Sequence, residues 1–256
     1  MKTITIIGGG LSGLAASCYL AKNNFNVQLI EKNNNLGGRI DLVVDEGFIF
    51  DAGPSWYWMP EVFENFFEDF GKCITDYYEL KRLDPSYKYF IDGASYDIPA
   101  DKYKLSELFE KIEPGSSLNL QKFIKQAQKK YNISMKKFIY LSNNNLSDYL
   151  SFEMLKYLFS LDILKSLRRH ISIFFKEKIL KELLEFPSMF LGGTPNNTPA
   201  LYSLMNYADI VGGTWYPMGG MNKISQAFSD LSKELGVKHI LNEEIVRLNI
   251  ENGQVI

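Results

Sequence analysis

Apolar and polar positions change rhythm several times along the chain. Residues 3–7 are a β-branched apolar run stopped by glycine, the pattern of a buried strand. Gly8-Gly9-Gly10-Leu11-Ser12-Gly13 then reads as a turn. Residues 14–21, small and apolar, predict a helix suited to lying against a sheet. Asn23-Asn24 ends that helix, residues 26–30 predict a second strand, and Glu31 closes it. A further short strand is expected at 47–51, before the loop Ala52-Gly53-Pro54-Ser55. Over 60–71 the period becomes helical, with Val62, Phe63, Phe66, Phe67 and Phe70 on one side. Residues 87–98 alternate like a hairpin about Asp92-Gly93. From about 103 to 190 the pattern is mostly helical, broken at Pro114-Gly115 and at Asn143-Asn144-Asn145. After Pro199 a glycine-rich stretch runs to Gly220, a helix is expected near 221–235, and 238–250 reads as strand, turn, strand.

This order predicts an α/β fold with a Rossmann-like opening βαβ and a mostly helical insert. The expected divisions are 1–100 for the opening domain, 101–215 for the insert and 216–256 for a return to the first domain. The Asn252-Gly253 turn calls for a partner strand, so the chain reads as incomplete at its C-terminus.

Composition narrows the class. Of 256 residues, 46% are hydrophobic and 23% charged, which excludes disordered, collagen-like and disulfide-knotted chains. A net charge of -2 gives no argument for nucleic acid as a partner. Cys18 and Cys73 cannot make a disulfide framework and fit a reduced, cytoplasmic setting. His170 and His239 are the only histidines, which disfavours a zinc site or a His-centred triad. With no CxxC, HExxH or GxSxG, no metal is expected. Aromatic residues reach 14%, a surplus that must pack a core, line an apolar pocket or meet a membrane. Glycines cut the first apolar run too early for a secretory signal. No stretch reaches the roughly 18 uninterrupted apolar residues of a spanning helix.

The candidate chemistry begins at the first turn. Gly8, Gly10 and Gly13 form GxGxxG between a strand and a helix. Gly8 permits the tight turn, Gly10 lets backbone approach a pyrophosphate, and Gly13 lets helix and strand pack closely. The phosphates then meet N–H groups at a helix N-terminus. Glu31, ending the second strand, can accept bonds from ribose hydroxyls and would repel a 2′-phosphate, which favours FAD or NAD over NADP. The plainer alternative is a glycine turn with a surface Glu. Leu36-Gly37-Gly38-Arg39 follows, with two more glycines that admit phosphate and an arginine that donates to it. Simple nicotinamide dehydrogenases have no reason to carry that second loop, so FAD is the cofactor expected.

Gly8 to Gly13, Glu31, Gly37-Gly38-Arg39 and Phe50-Asp51-Ala52-Gly53-Pro54 resemble the flavin-dependent amine oxidase and carotenoid desaturase superfamily. Downstream, Gly53-Pro54-Ser55-Trp56-Tyr57-Trp58-Met59-Pro60, Leu83-Asp84-Pro85-Ser86-Tyr87, residues 198–205 and Trp215-Tyr216-Pro217-Met218-Gly219-Gly220-Met221 are similar to the bacterial phytoene desaturase (carotenoid desaturase) family. The resemblance implies an FAD-dependent oxidoreductase that desaturates phytoene or a related polyene by hydride transfer to flavin. It implies an N-terminal fragment, since members continue further and carry a second flavin motif. Leu11 and Ser12 join the glycines as implied pyrophosphate contacts, and Lys32 joins Glu31. Gly38, Arg39, Gly53, Pro54 and Ser55 are the other implied FAD contacts. Residues 242–248 look like the strand whose backbone meets adenine, with Ile245 where the family usually has Val. Other readings stay open: a carotenoid isomerase, a retinol-saturase-like enzyme, an amine oxidase, or a non-catalytic FAD- or lipid-binding remnant.

Two further expectations concern substrate and surroundings. Asp148 is a candidate proton acceptor, although a carboxylate serving a helix N-terminus is the plainer account. Trp56, Tyr57 and Trp58 are candidates to face the flavin ring or the substrate tunnel, with core packing as the alternative. A carotenoid dissolves in lipid, so peripheral contact with the inner face of a membrane is expected. Leu155, Phe159, Ile163, Leu167, Ile171 and Phe175 recur at four-residue steps among Lys165, Arg168, Arg169 and Lys176, the pattern of an interfacial helix. The acid-free run 118–147, with six lysines, reads instead as a solvated basic face. Oligomeric state is left open.

Overall fold

A computed structural model describes residues 2–139, 161–251 and 254–255. In chain order it begins β1 (Thr3–Ile7), α1 (Leu11–Lys22) and β2 (Asn26–Ile30), then the hairpin of β3 (Asp41–Asp45) and β4 (Phe48–Ala52). Helix α2 (Pro60–Glu68), β5 (Leu80–Arg82) and the hairpin of β6 (Tyr87–Ile91) and β7 (Ala94–Ile98) follow. The helical part comprises α3 (Lys102–Ile112), α4 (Ser116–Lys137), α5 (Leu167–Ile171), α6 (Lys178–Glu185) and α7 (Leu204–Tyr207). The chain then runs through β8 (Trp215–Pro217), α8 (Asn222–Glu234), β9 (Lys238–Ile240), β10 (Ile250–Glu251) and β11 (Gln254–Val255). It divides into two compact units, Met1–Lys81 with Trp215–Ile256, and Arg82–Thr214. The hairpin β6–β7 therefore groups with the second unit, where the sequence placed it in the first division.

In the first unit, β1, β2 and β9 form a parallel sheet in the order β1-β2-β9. Parallel pairing requires a crossover, and α1 supplies the one between β1 and β2. Helix α1 ends where Asn24 takes a left-handed φ of 62°, a conformation Asn tolerates better than most residues. Its Leu14 and Cys18 are fully buried. Helix α8 presents Ile224, Ala227, Phe228 and Leu231 at 3–4-residue spacing to the same core. Phe66 of α2 stacks on Phe228, centroids 4.2 Å apart and planes within 10°. The sequence missed β3, which alternates poorly and carries an acid at each end. It also expected no partner for the turn at 252–253, yet β10 and β11 pair antiparallel across it.

In the second unit, Asp92 and Gly93 both have positive φ, 48° and 78°, which gives the β6–β7 turn the twist that matches its strands. Asp101 caps α3, its Oδ1 accepting the N–H groups of Tyr103 and Lys104 at 2.9 Å. The α3–α4 turn at Pro114-Gly115 is fastened by Glu110, whose carboxylate accepts the Gly115 and Ser117 N–H groups. Leu120 and Phe123 of α4 face a core shared with Phe109, Leu167, Ile171, Phe175 and Leu180. This corrects the expected membrane-facing stripe. Among the described residues it is not one helix, because α5 spans only 167–171, and Leu167, Ile171 and Phe175 are at most 1% exposed. Leu155, Phe159, Asp148 and the break at Asn143-Asn144-Asn145 lie outside the described residues. Within the glycine-rich stretch after Pro199, residues 200–212 are helical, a feature the glycines and Pro199 concealed.

Candidate functional site

The site is built by backbone. Gly8, at φ +101°, lets the chain leave β1 sharply, and its N–H donates to the Ile30 carbonyl of β2 at 2.8 Å. Gly13 lies so close to this turn that a Cβ on it would stand 2.0 Å from the Gly8 oxygen. Gly9 is confined by a side chain instead, since a Cβ there would meet Leu36 at 2.2 Å. Its N–H donates to Glu31 Oε2 at 2.7 Å. The spacing rule passed over Gly9; three consecutive glycines were the available signal. Gly10 opens α1 without any side-chain cap, so the helix presents N–H groups and its positive end to whatever lies before it.

The second glycine pair lies against the first. Gly37 donates its N–H to the Gly9 carbonyl at 2.8 Å, and Gly10 and Gly37 pair as a parallel bridge. A Cβ on Gly38 would stand 3.1 Å from the Gly10 Cα, and one on Gly53 would stand 2.0 Å from the Arg39 oxygen. Three segments, 7–13, 37–40 and 52–54, thus enclose a cavity of about 960 Å³. Six of its thirteen lining residues are glycine, and an exposed arginine, Arg39, is among the rest. Glu31 sits behind it, 6% exposed, with Oε2 on Gly9 and Oε1 on the Asn33 N–H at 2.9 Å. Each carboxylate oxygen keeps a lone pair for a hydroxyl. Side chains on the glycines would fill this cradle; without them it fits a dinucleotide, with N–H groups and Arg39 for pyrophosphate and Glu31 for ribose.

Of the residues expected from sequence, Gly8, Gly10, Leu11, Ser12, Gly13, Gly38, Arg39, Gly53 and Pro54 line this one cavity. Glu31, Lys32, Ser55 and Ile245 are not among its lining residues. Residues 242–248 are not a strand, which corrects that expectation. Asn242 adopts a left-handed φ of 59° and charged Glu243-Glu244 follow, so the strand stops at Ile240. The backbone still tracks β2's end, with the N–H of Asn242 on Asn33 O and that of Glu243 on Glu31 O. Tyr57 is core, 2% exposed, with its hydroxyl 2.9 Å from that of Tyr78, and burial pushes its phenol far above the ordinary range. Trp56 and Trp58 are half-buried and meet edge to face, 5.7 Å apart.

The second unit holds buried titratable groups that the sequence did not reveal. Lys130 Nζ lies 3.2 Å from Asp162 Oδ2, 3.0 Å from Ala200 O, 3.2 Å from Ser203 Oγ and 3.3 Å from His170 Nε2. Burial, aided by Lys130, lowers His170 to about 4. Asp209 accepts the hydroxyls of Tyr87 and Thr214, each at 2.9 Å. Burial raises it to about 6 against those two bonds. Arg168 forks onto Glu185, Nε to Oε1 at 3.0 Å and Nη2 to Oε2 at 2.8 Å.

A parallel sheet with a glycine-built dinucleotide cradle at its first turn defines a nucleotide-binding α/β protein. The chain belongs to the flavin containing amine oxidoreductase family, which matches residues 11–256. A flavin in a dinucleotide cradle is FAD, and FAD is its cofactor. The chain is 37% identical to a carotenoid 3,4-desaturase of Haloarcula japonica, over 97% of its own length and 50% of that protein. It is 33% identical to a zeta-carotene-forming phytoene desaturase of Myxococcus xanthus, over 99% of its length and 49% of the other. An oxidoreductase from Methanosarcina mazei shares the fold, with a TM-score of 0.60 at 18% identity, covering 100% of this chain and 54% of that one. The chain thus spans about half the length of the curated relatives it matches.

Proposed function

We propose that the chain serves FAD-dependent carotenoid desaturation, the introduction of double bonds into phytoene or a related polyene. The observation that carries this reading is the match along 97% of the chain to a carotenoid 3,4-desaturase, joined to a cradle that fits FAD. Bound FAD supplies a hydride acceptor for a CH–CH unit. The chain's own residues bind and orient that group. The N–H groups at the start of α1 and the glycine backbones take the pyrophosphate, Arg39 adds a charge-assisted donor, and Glu31 holds the ribose. Lys32, Ser55 and the backbone near Ile245 complete the nucleotide contacts.

The substrate's solubility in lipid places the protein at the cytoplasmic face of a membrane, as a peripheral visitor. Among the described residues no helix is long and apolar enough to cross a bilayer. Support for contact comes from Met189, Phe190 and Leu191, consecutive apolar side chains 73%, 49% and 43% exposed. Flotation with anionic liposomes should retain the full-length protein and release a variant with all three changed to Ser; equal retention overturns the membrane reading.

The desaturase reading is tested by expressing the full-length coding sequence in cells that accumulate phytoene. Coloured polyenes with longer conjugation are expected. Colourless cells containing flavin-loaded protein would overturn it.

A further inference from the structure

The motif Trp215-Tyr216-Pro217-Met218-Gly219-Gly220-Met221 stands out in the sequence, yet none of it lines the cofactor cavity. Its partner is Asp51, in β4. Asp51 Oδ2 accepts the Tyr216 hydroxyl at 2.9 Å, and Oδ1 accepts the Met221 N–H at 2.8 Å. Met221 is the residue from which α8 starts, and that start has no side-chain cap of its own. A carboxylate from 170 residues earlier therefore takes up one of the N–H groups left free where the helix begins, at the end that favours negative charge. Gly220, at φ +109°, makes the approach feasible, because a Cβ there would stand 3.2 Å from Asp51 Oδ1.

The other side of Asp51 leads to the cofactor. Ala52, Gly53 and Pro54 form a wall of the cavity, and Gly53 is in backbone contact with Arg39. Asp51 itself does not line the cavity. We infer that Asp51 is a positioning residue for FAD: anchored by Tyr216 and Met221, it holds the 52–54 wall, and through it Arg39, against the two glycine turns. The inference rests on FAD occupying this cavity.

The test uses the full-length protein, with FAD affinity read from flavin fluorescence and the visible flavin spectrum, and folding followed separately by circular dichroism. Asp51→Ala should weaken FAD about ten- to a hundredfold, the scale of two bonds to a half-buried charged group. Tyr216→Phe should weaken it less, and Asp51→Asn should recover part of the loss. Combined with Arg39→Ala, Asp51→Ala should add less than its separate effect, because both act through one group. Leu231→Ala, in the apolar core of the same unit, serves as the control that lowers melting temperature without changing affinity. Should Asp51→Ala not fold, Tyr216→Phe and Asp51→Asn carry the test. FAD affinity and spectrum like the wild type in those variants, or losses that multiply with Arg39→Ala, would overturn the inference. Wild-type protein that takes up no FAD would overturn the cavity reading beneath it, a result the variants cannot mimic.

Discussion

Among the described residues, Met1–Lys81 with Trp215–Ile256 bury one charged side chain, Glu31, and its partners are backbone N–H groups. Arg82–Thr214 buries Lys130, His170, Glu185 and Asp209, and their partners are mostly other side chains. The first unit thus does its chemistry with main chain and is brittle to added volume at glycine. The second keeps charge inside and answers to protons and to loss of a partner. All three tryptophans of these 256 residues, Trp56, Trp58 and Trp215, lie in the first unit, so within them tryptophan fluorescence reports on that unit and not on the second. Hydrogen exchange of peptides from 82–214 reports on the second.

The largest effect should come from Gly13→Ala. The added carbon would stand 2.0 Å from the Gly8 oxygen, backbone that cannot swing away, so α1 must leave β1. A cost of about 3 kcal/mol or more is expected, at the upper end for overpacking, with loss of FAD uptake. Tryptophan fluorescence should show the first unit melting early, while exchange in 82–214 stays unchanged. Wild-type FAD binding by this variant would break the picture of a main-chain cradle.

The next effect belongs to the second unit and appears as a pH slope. Asp209, raised from 3.8 to about 6, favours the folded state when protonated, so its contribution is present below pH 3.8 and is lost as pH rises through about 6. His170, lowered from 6.5 to about 4, does the reverse: its contribution is present above pH 6.5 and is lost as pH falls through about 4. Each is worth about 3 kcal/mol, and in the wild type they oppose over nearly the same window. Asp209→Asn should expose the His170 slope, so that protection of 82–214 falls as pH drops from about 6.5 to about 4. A variant with the same pH profile as the wild type would show that these groups do not titrate against each other.

Legibility in the sequence followed the same division. The cradle could be read residue by residue, because glycines in a strand–turn–helix context have few other uses, and Glu31 sits where the strand ends. What escaped there was contact that depends on approach in space: Gly9 against Leu36, and Asp51 reaching Met221. The second unit was legible only as helical period. Period shows that Leu167, Ile171 and Phe175 share a face, and it cannot show whether that face meets lipid or a core. It says nothing of which polar residues go inside, since Lys130 is one lysine among many on α4 until its surroundings close over it.

Arg168 and Arg169 make the smallest and most local test of that last point. In sequence they are interchangeable, adjacent cations in one basic run. In the structure Arg168 forks onto Glu185, a carboxylate 3% exposed, while Arg169 is an exposed side chain. Removing Arg168 strands a buried negative charge, which is where the expense of breaking an ion pair lies. Because the arginine side chain is 48% exposed, water recovers part of that, and Arg168→Ala should cost about 2 kcal/mol. Arg169→Ala should stay within about 0.5 kcal/mol of the wild type, as surface changes do. Replacing both Arg168 and Glu185 with Met should restore most of the loss, since neither charge then needs a partner. If Arg168→Ala and Arg169→Ala were equally mild in exchange of the 82–214 peptides, Glu185 would be solvated in solution, and burial of charge would cease to distinguish the second unit from the first at this position.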